Sequence, residues 1–531
     1  MNTPWLTGQA IPQPRPVEHL SPVDGGRPSE LLFVNPPSPD GDTWVRCQHR
    51  AGQRAPDGAV WPQTALAQLA ALFPDRRVGL IDANARRLGW EEFAEEIKRE
   101  AASWYVTQVA GPTLENDLRG VALAKQMGAA TVVFGPTATP LAAELLQRCP
   151  DLDYVLCGEP ELTLRELVDT VDGRWHDLPP RIAPLCARFA VEPDRPRTLG
   201  AIRGLAWRHE GGPVINLPRP LIPHLDDLPL PAHELLPLAR YGAPAVAAPS
   251  AAVVTARGCP ERCSFCLKQV TYDQAVRARS PEHIVDELLL LRRLGVRHVY
   301  MQADLFTVCR EQVAGLCRLL VREGLGMSWS CSLRPDAVDR ELLSLMGLAG
   351  CRWITWAIEA GSEAVLRRAG KNIRLADVEV TLGWAQAAGI RNWGSFILGL
   401  PGETERTIRQ TIELAKRLSL DRATFELAVP RPGTAFWREA LAKGWLTPGR
   451  HWEQADVYGP AILNYPDLGA GRLEFWLEQA YREWALRPGS LWGLLKDARS
   501  ARAPQVLVAL DARRPPKRSG LELGSARWPG F

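Results

Sequence analysis

The sequence predicts an α/β protein with an N-terminal doubly wound, Rossmann-like domain, a central partial (β/α)6 barrel of the TIM type and a helical C-terminal segment. Short apolar runs alternate with helical patterns five times within 31–171 and six times within 251–433. Repeated βα units of this length assemble into parallel sheets. A stretch rich in proline and charge, 172–245, separates the two series, and three cysteines follow the first strand of the second.

In the first series, 31–36 (LLFVNP), 78–84 (VGLIDAN), 103–109, 130–136 (ATVVFGP) and 154–158 read as buried strands. Helical patterns occupy 64–73, 90–101, 114–128, 140–149 and 161–171. Doubly wound sheets take ligands at the carboxyl ends of their strands. Asn35, Thr107, Gly135, Pro136, Thr137, Gly158 and Glu159 stand there, although such residues also serve plain turns. Residues 204–216 read as a hairpin with a Gly211-Gly212 turn, and 220–237 as a proline-stiffened linker.

In the second series the expected strands are 251–257, 298–304, 327–334, 353–360, 394–400 and 422–430. The helix after the cysteines has Ser280 as N-cap, Pro281 at its first position and Glu282 in its first turn. Chemistry is expected at the carboxyl-terminal mouth of such a barrel. From about 448 the pattern becomes tryptophan-rich amphipathic helix, at 473–484 and 490–500, and 512–531 is rich in Arg, Pro and Gly. The expected divisions are 1–29 extended or disordered, 30–172, 173–245, 246–447, 448–511, and a disordered tail at 512–531.

The chain has 531 residues, 46% hydrophobic and 23% charged, with a formal net charge of +3. That composition is globular, and so small a charge gives no reason to expect a nucleic-acid partner. No run approaches ~18 apolar residues, so no transmembrane segment is expected. The polar, proline-rich first 28 residues lack a signal core, which predicts a cytoplasmic protein. Cys149, Cys157, Cys309, Cys317, Cys331 and Cys351 lie in apolar patterns and read as core residues. Nineteen tryptophans are many for this length; they suit core packing, or the wall of a hydrophobic or planar substrate site.

The run Arg257-Gly-Cys259-Pro-Glu-Arg-Cys263-Ser-Phe265-Cys266 is the most specific feature. Three thiolates can hold three irons of a [4Fe–4S] cube and leave the fourth open. A zinc knuckle is the alternative, but tetrahedral zinc calls for four protein ligands, and no second pair is placed to complete it. Three unrelated core cysteines would not explain the Gly, Pro and charged residues between them. The C-x-x-x-C-x-x-C spacing, with Phe265 before the last cysteine, resembles the radical S-adenosylmethionine superfamily. That resemblance implies cluster ligands at Cys259, Cys263 and Cys266, with Phe265 beside the cofactors.

Further runs resemble the cobalamin-binding branch of that superfamily, which includes the anaerobic magnesium-protoporphyrin ester cyclase and hopanoid side-chain enzymes. The resemblance spans roughly 30–450. Gln302-Ala-Asp304-Leu-Phe306-Thr307 resembles an Asp-Asp-x-Phe-Thr run near the methionyl amino group, with Ala303 replacing the first acid. Asp304 can also serve as a helix cap. Ala357-Ile-Glu359-Ala-Gly resembles Gly-Ile-Glu-Ser-Gly, which implies a cofactor-facing carboxylate at Glu359; pairing with Arg334 is the alternative. Gly394-Ser-Phe-Ile-Leu-Gly399-Leu-Pro401-Gly402-Glu403-Thr404 matches nearly throughout. Pro430-Arg-Pro-Gly-Thr434 resembles a Pro-x-Pro-Gly-Thr turn, or is a plain turn.

The N-terminal strand-end residues resemble those of the branch's cobalamin domain. The Asp-x-His-x-x-G motif is absent, and His49 lies in a polar loop, so the resemblance implies cobalamin without a histidine ligand. The implied cofactors are a [4Fe–4S] cluster, S-adenosylmethionine and cobalamin, with an electron donor such as flavodoxin or ferredoxin. The implied activity is generation of a 5′-deoxyadenosyl radical and methylation of an unactivated carbon of a small-molecule or peptide substrate. A cyclase or rearranging enzyme with the same cofactors competes, and a non-catalytic cobalamin or iron–sulfur sensor ranks below both.

Overall fold

The computed structural model describes residues 29–487, apart from 47–51, 56–57, 175–178, 180–181, 183–197, 243–248 and 273. The expectations for the first 28 residues, His49, the helix at 490–500 and the tail at 512–531 lie outside the described residues.

Seven strands form the first sheet: β1 (Leu31–Asn35), β2 (Val78–Asp82), β3 (Trp104–Gln108), β4 (Ala130–Phe134), β5 (Tyr154–Leu156), β6 (Leu205–His209) and β7 (Gly212–Ile215). Their spatial order is β2-β1-β3-β4-β5-β6-β7. The first five are parallel, and the hairpin β6–β7 extends the sheet antiparallel to β5. Every residue of β1 is buried, as expected of a central strand covered on both faces. Leu31 and Phe33 enter one apolar layer with Trp104 and Val106. Leu32 and Val34 enter the other with Tyr105 and Phe93.

The second sheet has six parallel strands in sequential order: β8 (Ser250–Val254), β9 (His298–Gln302), β10 (Ser328–Leu333), β11 (Cys351–Glu359), β12 (Arg391–Leu398) and β13 (Arg422–Leu427). The first and last do not pair, so this is the expected partial barrel. Ile354, Trp356, Ile358, Phe396 and Leu398 join the outer apolar layer. Their alternates Trp353, Thr355, Ala357, Trp393, Ser395 and Ile397 are half-buried and face inward by the two-residue period of a strand. β11 and β12 begin earlier than the apolar runs suggest, because Arg352 and Arg391 keep their charges in solvent at the strand starts. The Ser280 hydroxyl caps the helix Pro281–Arg293 by accepting from the His283 amide.

The helix Ala470–Ala485 packs over β13, where the Tyr481 hydroxyl meets the backbone N and O of Phe425. Cys149, Cys317, Cys331 and Cys351 are buried as expected. Cys157 and Cys309 are only partly so, and Cys309 is the N-cap of the helix Arg310–Glu323 rather than a core residue. No helix among the described residues is long and apolar enough to cross a membrane.

Candidate active site between the two sheets

After β8 the chain forms a two-pair antiparallel ribbon, Ala256–Arg257 with Arg277–Ala278, whose loop carries the three cysteines. Gly258 closes its neck at φ +88, where a Cβ would stand 1.8 Å from the Ala275 carbonyl oxygen. Only glycine fits there. Asp304 Oδ2 accepts from the Gly258 amide at 2.7 Å, while Lys268 Nζ donates to the Asp304 carbonyl at 2.8 Å. Asp304 therefore fastens the cysteine loop to the end of β9 and does not cap a helix. Arg334, at the end of β10, binds Glu261 of the same loop at 2.8 Å. The Ser264 amide donates to the Ala369 carbonyl at 2.9 Å. A Cβ on Gly370 would stand 2.4 Å from the Arg262 carbonyl oxygen.

Cys259, Cys263 and Cys266 are free thiols, each partly exposed. Burial pushes the Cys263 thiol up to about 12 and raises the other two; Lys268 beside Cys259 and Cys266, and Lys371 beside Cys263, act in the opposite direction. Among the described residues no three ligand-type side chains are close enough to grip one ion. A [4Fe–4S] cube asks for less, because each thiolate ligates a separate iron. Phe265 packs against the barrel core.

Glu359 ends β11 at φ +69, a strained value for a non-glycine residue. Its partner is not Arg334 but Lys371, whose Nζ donates to Glu359 Oε1 at 2.8 Å and to the Ala357 carbonyl at 2.6 Å. Thr307 is 7% exposed, and its hydroxyl has no hydrogen-bond partner among the described residues. After β12, Gly399 and Gly402 turn at φ +94 and +83 around the buried Pro401. Glu403 Oε2 accepts from the Gly399 and Leu400 amides at 2.5 and 3.2 Å. Burial pushes this carboxyl up to about 8, against the two amide bonds. Tyr465 donates its hydroxyl proton to the Gly399 carbonyl at 2.8 Å.

On the first sheet, Asn35 stands apart from the other strand-end residues. Its amide donates to Asp82 and its oxygen accepts from Arg46 at 3.1 Å. Arg46 is fully buried and also bonds Asp117, Thr113 and the carbonyls of Pro36 and Pro37. It fills the crevice between the ends of β1 and β3. Thr107 is fully buried within β3. Its neighbour Gln108 is 2% exposed, with neither amide atom bonded among the described residues. Gln108 Cγ lies 3.1 Å from where a Gly135 Cβ would stand. The Gly158 amide donates to Thr139 at 3.0 Å. Glu159 reaches into the second domain, accepting from Arg257 and Arg277 at 2.8 Å.

Gly111, Pro112 and Thr137 from the first sheet meet Leu267, Pro430, Arg431 and Trp452 from the barrel side around a cavity of about 20 Å³. The carboxyl edges of both sheets thus face one junction. A larger space of about 40 Å³ borders Arg257 and Gln302 but none of the cysteines.

Residues 253–415 match the family model of the radical SAM superfamily, and 54–168 match that of the B12 binding domain. This chain thus joins a B12 binding domain to a radical SAM domain, the pairing found in the cobalamin-binding branch of the radical S-adenosylmethionine superfamily. An uncharacterized methyltransferase of Pyrococcus horikoshii is 29% identical over 443 residues, which are 81% of this chain and 89% of that protein. The fold is shared with OxsB, a cobalamin-dependent S-adenosylmethionine radical enzyme, at TM-score 0.66 and 14% identity over 92% of this chain and 71% of that one. It is shared with the radical S-adenosylmethionine methyltransferase TsrM of Kitasatospora setae at TM-score 0.62 and 19% identity over 84% of each chain.

The cofactors of this radical SAM enzyme are a [4Fe–4S] cluster, S-adenosylmethionine and cobalamin, and the residues present fit them. Three free thiols on a loop pinned at both ends suit a cluster. The unsatisfied Thr307 hydroxyl and the glycine turn after β12 suit a polar cofactor at the barrel mouth. On the first sheet, the orphaned Gln108 amide over Gly135 suits a large amide-bearing cofactor. Sequence reasoning named Thr107 and missed Gln108, Arg46 and Lys371. Arg46 and Gln108 are buried polar residues in segments that read as polar loop and apolar strand, so only burial without solvent marks them.

Proposed function

We propose that this enzyme methylates an unactivated carbon of a small-molecule or peptide substrate held between its two domains. The meeting of both carboxyl edges at one junction carries the reading, because methyl donor and radical source must reach the same substrate carbon. When bound, the cluster and S-adenosylmethionine supply a hydrogen-abstracting radical, and cobalamin supplies a transferable methyl group. The chain's own part is to position and to exclude water. Asp304, Lys268 and Arg334 hold the cysteine loop against β9 and β10. Lys371 holds Glu359 at the mouth. Trp452, packed edge-on against Trp437, walls the junction. Cys259, Cys263 and Cys266 would hold the cluster. Asp304, Thr307, Glu359 and the Gly399–Gly402 turn would face S-adenosylmethionine. Gln108, Gly135, Pro136, Thr137 and Gly158 would face cobalamin. A flavodoxin or ferredoxin would supply electrons.

The test incubates anaerobically reconstituted protein with cobalamin, S-adenosylmethionine and a strong reductant, and follows small molecules by mass spectrometry. Methylcobalamin with matching S-adenosylhomocysteine is expected. 5′-Deoxyadenosine without S-adenosylhomocysteine would replace methyl transfer by a cyclase or rearrangement.

A further inference from the structure

We propose that Glu159 of the first domain is the positioning residue that closes the neck of the cysteine loop in the second. The proposal rests on the reading of Cys259, Cys263 and Cys266 as cluster ligands. Arg257 and Arg277 face each other directly across the two-pair ribbon that forms this neck. Like charges so placed repel, both side chains are buried, and so short a ribbon has little strength of its own. A counter-charge between them is therefore a condition for the neck to close.

Glu159 supplies it. Its Oε1 accepts from Nη1 of Arg257 and Nη1 of Arg277, each at 2.8 Å. Its Oε2 accepts from Arg277 again at 2.8 Å and from the Ile222 amide at 2.7 Å. Glu161, in the first turn of the following helix, binds the other arm of Arg257, so two carboxylates balance two guanidiniums. Glu159 occupies the N-cap position of the helix Pro160–Asp172 yet makes no capping bond; its carboxylate is spent across the domain boundary. Arg257 is two residues from Cys259, and Gly258 between them already sits against the Ala275 carbonyl. Opening the neck would displace Cys259 first. The domain that carries the cobalamin-facing loops thereby holds the loop that carries the cluster ligands.

The experiment uses the full chain. In the cluster-free protein, alkylation of individual cysteines by iodoacetamide is timed by peptide mass spectrometry, with the buried Cys331 and Cys351 as internal references. In the reconstituted protein, loss of cluster absorbance to a chelator and the electron paramagnetic resonance spectrum of the reduced cluster are recorded. Glu159→Gln is expected to speed alkylation of Cys259 and Cys263 about tenfold, as removal of one charge from a buried pair costs enough free energy to do. It also shortens cluster lifetime and shifts the resonance, leaving Cys331 and Cys351 unchanged. Adding Arg277→Gln, which removes the cross-strand repulsion, restores most of the loss.

Wild-type alkylation and cluster lifetime in Glu159→Gln would overturn the proposal. So would equal acceleration at Cys331 and Cys351, which would make Glu159 a support of the fold alone, or a double variant no better than the single. A wild-type protein that takes up no cluster would instead remove the cluster reading, with the alkylation arm still deciding the neck.

Discussion

At the scale of single residues, two carboxylates at the barrel mouth have different partners. Glu359 is paired with Lys371, which is 2% exposed, and sits at a backbone angle that costs of order 1–3 kcal/mol. Lys371→Met leaves that carboxylate buried and unpaired. It is expected to lower stability by about 3 kcal/mol in urea unfolding and to weaken S-adenosylmethionine binding by calorimetry. Glu403 has no cation partner among the described residues, only two backbone amides, and burial raises its carboxyl to about 8. An acid with a raised folded pKa binds more protons folded than unfolded between about 4.5 and about 8. Its contribution is therefore full below that window and lost as pH rises through about 8. Thermal unfolding followed from pH 5 to 9 is expected to show this fall in the wild type and a flatter curve in Glu403→Gln, whose side-chain oxygen still accepts both amides. An identical fall in the two proteins would assign the pH dependence elsewhere.

At the scale of elements, the cysteine loop is pinned by contacts that tolerate no side chain. Gly258→Ala would drive a Cβ into the Ala275 carbonyl, and Gly370→Ala would drive one into the Arg262 carbonyl, each at a positive φ. Backbone on both sides leaves no flexible atom to yield. Both variants are expected to fold, since the neck lies outside the two sheets, and to take up less than half the wild-type iron on reconstitution, measured by iron and sulfide analysis. Full loading of Gly258→Ala would show that the ribbon can open without moving Cys259. Cys263→Ala is the companion case, expected to abolish the cluster absorbance.

At the scale of the whole molecule, the proposed methyl transfer depends on two sheets presenting the same edge to each other. Thr137, 6% exposed, sits on the first-sheet side of the junction cavity with Leu267 and Trp452 opposite. Thr137→Trp should fill that space. It is expected to weaken cobalamin binding at least tenfold in a spectral titration while leaving cluster loading intact. Equal affinity would place cobalamin away from this cavity.

How much of this was readable beforehand follows the range of the interactions. Eleven parallel strands, the Ser280 cap and the cysteine loop follow from apolar period, capping chemistry and ligand spacing, all of which act over a few residues. Partners brought from afar do not. Arg334 in the neighbouring strand was the alternative partner for Glu359, but the helix Glu363–Arg368 turns the chain so that Lys371 arrives instead. Thr107 and Gln108 differ by one position, and a strand's two-residue period puts them on opposite faces. Arg46, in a polar loop, is fully buried once Asn35 and Asp117 close around it. Local periodicity and thiol spacing were enough to name the fold and the family. Which charges neutralise each other across the domain boundary, and hence that Glu159 meets Arg257 and Arg277, came only with the packed molecule, because ion pairs choose partners by distance in space rather than along the chain.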